Sequence, residues 1–254
     1  MVAASLILLA VSSSAFANDG WVGYSGAPRI EGKHPGVRMA DELIRIRIGR
    51  DQMWADCSFT FKNEGPACIA RVGFPDYDSH GEELRSFYSD FRSYVDGKRV
   101  KTTLVKGEEG TAWQVKSVPF RQGQTRVVRN MYRMQLGILS LNGPGKHGDP
   151  PRIQHAEYIL STGRSWRGSI GRSRVIFEFD RTSIIKVPIR AYPRSRENKF
   201  DDSSFWEKNN NLIAFGGPCE PKVSGRTLTF ERSNWKPTES DDISLTFGVY
   251  YKSY

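Results

Sequence analysis

Ile44-Arg45-Ile46-Arg47-Ile48 alternates strictly between a branched apolar side chain and a charged one. Successive side chains of a β-strand point to opposite faces, so this stretch predicts a strand with one buried face and one wet face. Ala55, Cys57, Phe59 and Phe61 repeat the pattern, and Asn63-Glu64-Gly65-Pro66 then turns the chain. Cys68, Ala70, Val72 and Phe74 return, and Pro75 ends the strand. Read as a hairpin centred on that turn, the segment sets Cys57 opposite Val72 rather than Cys68.

The same alternation extends along the chain. Phe87 to Val95 reads as a strand, Asp96-Gly97 as a two-residue hairpin turn, and Val100 to Val105 as the returning arm. Trp113 to Phe120, a turn at Arg121-Gln122-Gly123-Gln124, and Thr125 to Leu136 read as a further hairpin. On its second arm Val128, Tyr132, Met134 and Leu136 point inward, and Arg129 and Arg133 outward. Asn142-Gly143-Pro144-Gly145-Lys146-His147-Gly148-Asp149-Pro150-Pro151 is dominated by glycine and proline and reads as a linker or a long surface loop. Strands resume at His155 to Leu160, Arg174 to Phe179, Ile185 to Ile189, Thr227 to Phe230 and Ile243 to Tyr251. One short helix fits between Asp201 and Asn211, capped by Asp201 or Asp202.

Many short strands joined by Gly, Pro and Asn turns predict an all-β protein. The expected form is an antiparallel β-sandwich in two sandwich-like halves, with at most one or two short helices. The expected layout is a leader at 1–17, a Gly-rich arm at 18–40, a first sandwich region at 41–139, the linker or loop at 140–152 and a second sandwich region at 153–254.

Composition narrows the class of protein. The chain has 254 residues, 38% of them hydrophobic and 26% charged. That is too apolar for disorder and, at a mean hydropathy of -0.51, too polar for a multi-span membrane protein. Residues 1–17 carry an apolar run through Val11 and the small-x-small site Ala15-Phe16-Ala17. This is the form of a cleaved export signal, leaving a mature chain that starts at Asn18 and has no membrane span. No Lys or Arg precedes the run, so the α-amino group supplies the positive charge or the true start lies upstream.

Lys and Arg total 37 against 28 Asp and Glu, a net charge of +9. An exported basic protein meets anionic envelope polymers, and arginine suits bidentate contacts to phosphate and carboxylate. The charge is spread rather than blocked, which a solvated basic surface also explains. Cys57, Cys68 and Cys219 enter an oxidising compartment, where one bridge at most forms within the chain. The hairpin offset argues against Cys57–Cys68. Cys219, in Gly216-Gly217-Pro218-Cys219-Glu220-Pro221, sits in a turn more accessible than a strand.

Enzyme signatures are absent: no G-x-S-x-G, H-E-x-x-H, C-x-x-C, P-loop or dinucleotide fingerprint. The four histidines are scattered. No catalytic residue is assigned, and the chain reads as a non-enzyme without a cofactor. The one local cluster of hard ligands is Asp76-Tyr77-Asp78-Ser79-His80-Gly81-Glu82-Glu83. Its D-x-D-x-x-G opening makes Asp76, Asp78 and Glu82 candidates for a weak extracellular calcium site. The bidentate Glu of such a loop is replaced by Phe87, and an acidic solvated loop is the plainer reading.

Trp21, Tyr24, Trp166 and Trp206 lie in polar or Gly- and Ser-rich segments, as a carbohydrate platform or as lids over the sandwich ends. Trp166 with Ile170, in a loop bracketed by Gly163, Gly168 and Gly171, fits a plug on an open end. Trp166 is a candidate binding residue as an exposed ligand platform, and Arg129 and Arg133, in the Arg-rich stretch 121–133, are candidate binding residues for phosphate or sulfate. Stacking aromatics do not interleave them, so specific nucleic-acid binding is not expected.

Several segments together resemble a family of exported bacterial proteins known as domain of unknown function 4424. They are Arg38-Met39-Ala40-Asp41-Glu42 leading into Ile44–Ile48, Phe59 to Asn63, Val72-Gly73-Phe74-Pro75-Asp76 and Val95-Asp96-Gly97-Lys98. The series continues with Tyr158-Ile159-Leu160-Ser161-Thr162-Gly163-Arg164-Ser165-Trp166-Arg167-Gly168-Ser169-Ile170 and Trp235-Lys236-Pro237-Thr238-Glu239. The resemblance implies a secreted β-rich protein and carries over no activity, cofactor or site residue. The expectation is a non-enzymatic exported protein, periplasmic or extracellular, with a binding or structural role in the cell envelope. Its partner would be an anionic polymer or another envelope protein. The alternatives are a two-domain periplasmic chaperone that caps subunits by strand addition, and an enzyme or lectin acting on envelope polysaccharide.

Overall fold

The computed structural model describes residues 20–21, 35–77, 84–107, 111–140, 152–183, 185–194 and 203–249. In chain order the strands are β1 (Gly20–Trp21), β2 (Val37–Ile48), β3 (Gln52–Asn63), β4 (Cys68–Tyr77), β5 (Ser89–Val95), β6 (Lys98–Val100), β7 (Thr103–Lys106), β8 (Thr111–Phe120) and β9 (Thr125–Gln135). They continue with β10 (Gly137–Ser140), β11 (Arg152–Tyr158), β12 (Ile170–Phe179), β13 (Arg190–Pro193), β14 (Leu212–Gly216), β15 (Lys222–Ser224), β16 (Thr227–Trp235) and β17 (Ile243–Val249). The expected short helix is α1 (Ser203–Lys208). Among the described residues no helix is long and apolar enough to cross a membrane.

The fold is all-β and sandwich-like. One eight-stranded sheet runs in the order β15-β16-β12-β2-β3-β9-β5-β6, with strands from both sides of residues 140–152. Two smaller sheets, β1-β4-β8-β7 and β10-β11-β17-β14-β13, cover its apolar face. Phe74 of the four-stranded sheet meets Phe59 and Tyr132 at ring-centroid distances of 6.5 and 5.5 Å. Phe215 and Phe247 of the five-stranded sheet meet Phe230 at 5.9 Å and Phe179 at 5.1 Å. One apolar cluster is continuous through both halves. The halves join where β12 lies parallel to β2, from Arg172↔Asp41 to Phe179↔Ile48.

Alternation in β2 and β3 takes the expected parity. Ile44, Ile46, Ile48, Cys57, Phe59 and Phe61 are buried, while Arg45 and Arg47 face solvent. The Asp96-Gly97 turn joins β5 to β6, with φ of 50° and 77°. Positive φ at both turn residues matches the twist of a two-residue hairpin. The Asp96 carboxylate fastens the turn by accepting from Arg126 Nε and the Val127 N–H, each at 2.8 Å.

Two expected hairpins are crossovers instead. β3 pairs with β2 and β9, whereas β4 pairs with β1 and β8 in the other sheet. The turns at 63–66 and 121–124 therefore both carry the chain between layers, and Cys57 lies opposite Ile44 and Asn130, not Val72. A turn signal reports that the chain reverses; it does not report which sheet the next strand joins. Asn63, fully buried, ties the two crossovers together. Its Nδ2 donates to the carbonyls of Pro66 and Arg121, and its Oδ1 accepts from the Gly65 N–H at 3.0 Å.

The strand expected at Ile185 to Ile189 is absent, and pairing starts at Arg190. Pro188 has no N–H to give a ladder. Val37 to Ala40, placed above in the N-terminal arm, are the first residues of β2. Cys57, Cys68 and Cys219 form no disulfide with one another. Cys57 is buried; Cys68 and the turn cysteine Cys219 are half-buried.

Candidate functional site

Period-2 parity brings several polar side chains into the interior. Asp76 on β4, Gln114 and Lys116 on β8, Asn130 on β9 and Ser93 on β5 all take inward positions, each at most 7% exposed. A buried polar group without a partner costs free energy, so these residues need one another. They form two short relays.

In the first, Lys116 Nζ donates across the sandwich to Asn130 Oδ1 at 3.2 Å, and Ser93 Oγ donates to the same oxygen at 2.8 Å. In the second, three donors converge on the Asp76 carboxyl group: Ser86 Oγ at 2.6 Å, the Phe87 N–H at 2.7 Å and Gln114 Nε2 at 2.8 Å. Gln114 Oε1 in turn accepts from Thr102 Oγ1 at 2.8 Å. Burial pushes the Asp76 carboxyl above the ordinary carboxylate range, and the bonds from Ser86, Gln114 and Phe87 pull it back.

Both relays end at one place. Ser93 and Thr102 line a groove of about 430 Å³ at the edge of the sandwich, where the chain crosses from the edge strand β6 to the edge strand β7. Phe91 and Val100 add apolar walls, and Arg92, Arg99 and Lys101 complete the lining. Arg92 reaches toward Asp90 at 3.9 Å. Arg99 and Lys101 are exposed, and among the described residues neither forms an ion pair. The groove is thus lined at the sheet edge by cationic, polar and apolar residues, with Arg99 opposite Tyr94 on the outer face and Ser93 opposite Val100 on the inner face, a composition suited to a small ligand that carries negative charge.

The residues singled out from sequence lie elsewhere. Arg129 and Arg133 do face outward on β9. Arg129 holds Asp56 through two bonds of 2.7 and 2.6 Å, which keeps its guanidinium more firmly protonated. Arg133 is paired with Asp90. Trp166 is 1% exposed and packs on Phe61 at 4.5 Å, so its indole offers no face to a ligand. Trp206 is likewise buried. Asp76 is committed to the second relay, and Asp78 and Glu82 lie outside the described residues, as do residues 1–17 and 142–151. No group of three or more metal-ligating side chains occurs among the described residues.

Ser93, Thr102 and Lys116 were not legible as site residues from local pattern. The available signal was parity: Gln114, Lys116 and Asn130 are polar residues at positions where their strand neighbours are core.

No family model matches the chain, and no curated protein matches it. Among solved structures, it is similar to a protein of Legionella pneumophila provisionally described as nutrient-binding, with 17% identity and a TM-score of 0.64 over 92% of this chain and 70% of that one. Leukotriene A4 hydrolase from Saccharomyces cerevisiae gives 11% identity and a TM-score of 0.42 over 84% of this chain and 29% of the enzyme. The M1 zinc metallopeptidase from Deinococcus radiodurans gives 12% and 0.34 over 84% and 43%. At 17% identity the likeness to the Legionella protein concerns the fold alone.

Proposed function

We propose that this is an exported, non-enzymatic binding protein that takes a small anionic ligand in the groove lined by β5, β6 and the Lys101-Thr102 link. The observation that carries the reading is the pair of unpartnered cations, Arg99 and Lys101, beside a floor already organised by two buried relays. A preorganised floor lowers the cost of ordering on binding. The leader-like residues 1–17 and the resemblance to the exported family of unknown function 4424 support an address outside the cytoplasm. The provisional description of the Legionella protein as nutrient-binding agrees with a binding role.

The test is isothermal titration of the protein with phosphate, citrate and D-gluconate, with uncharged glucose as the control. At least one anion is expected to saturate with a Kd below about 1 mM, and glucose to give no signal. Binding should weaken as salt is raised, since the rim is open to solvent. The Arg99→Glu/Lys101→Glu double variant alters two exposed side chains and should weaken binding about tenfold or more without changing the melting curve. Absence of saturable binding for all three anions, or an unchanged Kd in the double variant, would reject the reading.

A further inference from the structure

The two relays have a direction, and that direction fixes what the groove floor offers. An ammonium group can only donate, so Lys116 requires the Asn130 amide to turn its oxygen inward. That oxygen then requires Ser93 to donate its one hydroxyl proton to it. In the other relay the convergence of Ser86, Phe87 and Gln114 on Asp76 requires Gln114 to point its amide nitrogen at the carboxyl group. The Gln114 oxygen is thereby left to Thr102, which commits its one proton inward as well. A hydroxyl has one proton and two lone pairs. With both protons committed to the interior, half-buried Thr102 and the more deeply set Ser93, 2% exposed, have only lone pairs left to offer the groove they line. A buried cation and a buried acid thus impose the same polarity on the floor through different amides.

From this we infer that the ligand is an anionic polyol, a hydroxylated carboxylate or a sugar phosphate, whose negative group meets the cationic rim while its hydroxyls donate to Ser93 and Thr102. The inference rests on the reading of the groove as an anion site and sharpens it. The rim alone would accept any small anion. The floor discriminates, because a ligand without donors leaves two acceptors facing an apolar or equally electron-rich surface, and a desolvated acceptor with no partner is costly. Phe91 and Val100 leave room for the carbon chain between the two ends.

The experiment compares D-gluconate with hexanoate, matched in chain length and charge and differing in hydroxyls, by titration calorimetry on the full chain. D-gluconate is expected to bind at least about tenfold more tightly. Thr102→Val keeps the shape and removes the acceptor, and should bring D-gluconate to within about threefold of hexanoate. Thr102→Ser restores the hydroxyl and should restore the preference, with hexanoate binding unchanged in Thr102→Ser and somewhat tighter in Thr102→Val, where no acceptor is left unpaired. Ser93→Ala gives a second, independent removal, with thermal melts confirming that each variant is folded. Equal binding of the two ligands, or a preference that survives both Thr102→Val and Ser93→Ala, overturns the acceptor floor and leaves the anion site standing. Failure of both ligands to bind overturns the acceptor floor, and failure of phosphate and citrate as well overturns the anion site itself.

Discussion

Replacing Trp166 with alanine is expected to cost about 3–5 kcal/mol of stability, the usual range for emptying a fully buried indole site. The magnitude follows from the local construction. The chain leaves β11 into a 3-10 turn at Ser161–Ser165, and the Asp242 carboxylate accepts from the N–H groups of Leu160 and Ser161 and from Ser161 Oγ. The turn is therefore fixed before Trp166 is reached. Arg167 then donates its N–H to the Val37 carbonyl, which pins the far side of the tryptophan to β2. With both flanks held, the backbone cannot collapse into the space left by the ring. Ile170, 2% exposed, and Phe61 line the same region. Urea unfolding should show a lower midpoint with an unchanged m-value. A variant that unfolds like the parent protein would mean that the loop carries no packing load.

Gly171→Ala is expected to be comparably damaging, about 3 kcal/mol, through overpacking rather than through a cavity. A Cβ at this position would lie 2.2 Å from the Ala40 carbonyl oxygen and 3.2 Å from Arg38 Nη1. The first neighbour is backbone and cannot turn aside. Ala40 is the residue at which β2 slips register against β3, between Met39 and Asp41. The bulge re-aims its carbonyl toward β12, where only glycine leaves room. Because the parallel β2–β12 pairing joins the two halves of the sandwich, the substitution strikes their junction. Hydrogen exchange should show faster opening of the amides of β2 and β12. Loss of less than about 0.5 kcal/mol would place the variant with ordinary surface changes and contradict the close approach.

Both predictions depend on positions that the sequence marks in part. The glycines around Trp166 and the apolar partner Ile170 announce a packed loop, and the strict alternation of Ile44, Ile46 and Ile48 announces a half-buried sheet. These are local signals, carried by residues within a turn or a strand of one another. What they cannot carry is the destination of the next strand. Asn63-Glu64-Gly65-Pro66 has the composition of a hairpin turn, yet the buried Asn63 amide joins two crossovers whose carbonyl partners, Pro66 and Arg121, lie far apart in the chain. The strand pattern therefore gave the all-β class without the pairing.

The groove was out of reach for the same reason. Ser93 meets Asn130 and Gln114 meets Asp76 across intervals of 37 and 38 residues, and Lys116 finds Asn130 across the sandwich. Arg129 and Arg133 stand out in the sequence because charge density is visible locally. Their partners, Asp56 and Asp90, come from other strands and become neighbours only in the sheet. A surface arginine that holds a carboxylate through two bonds is a poor anion ligand. Arg99 and Lys101, less conspicuous in sequence, carry no such partner among the described residues.

The measurement that bears most directly on the central claim is a two-dimensional amide NMR titration of the deuterated protein with D-gluconate. The expected result is saturable shifts concentrated in residues 91–93 and 99–102, extending inward to Lys116 and Asn130 through the relays, and moved to at least about tenfold higher ligand concentration in the Arg99→Glu/Lys101→Glu variant. Saturable shifts confined to the outer face around Arg129, Arg133, Arg172 and Arg174, with residues 91–102 unmoved, would contradict it.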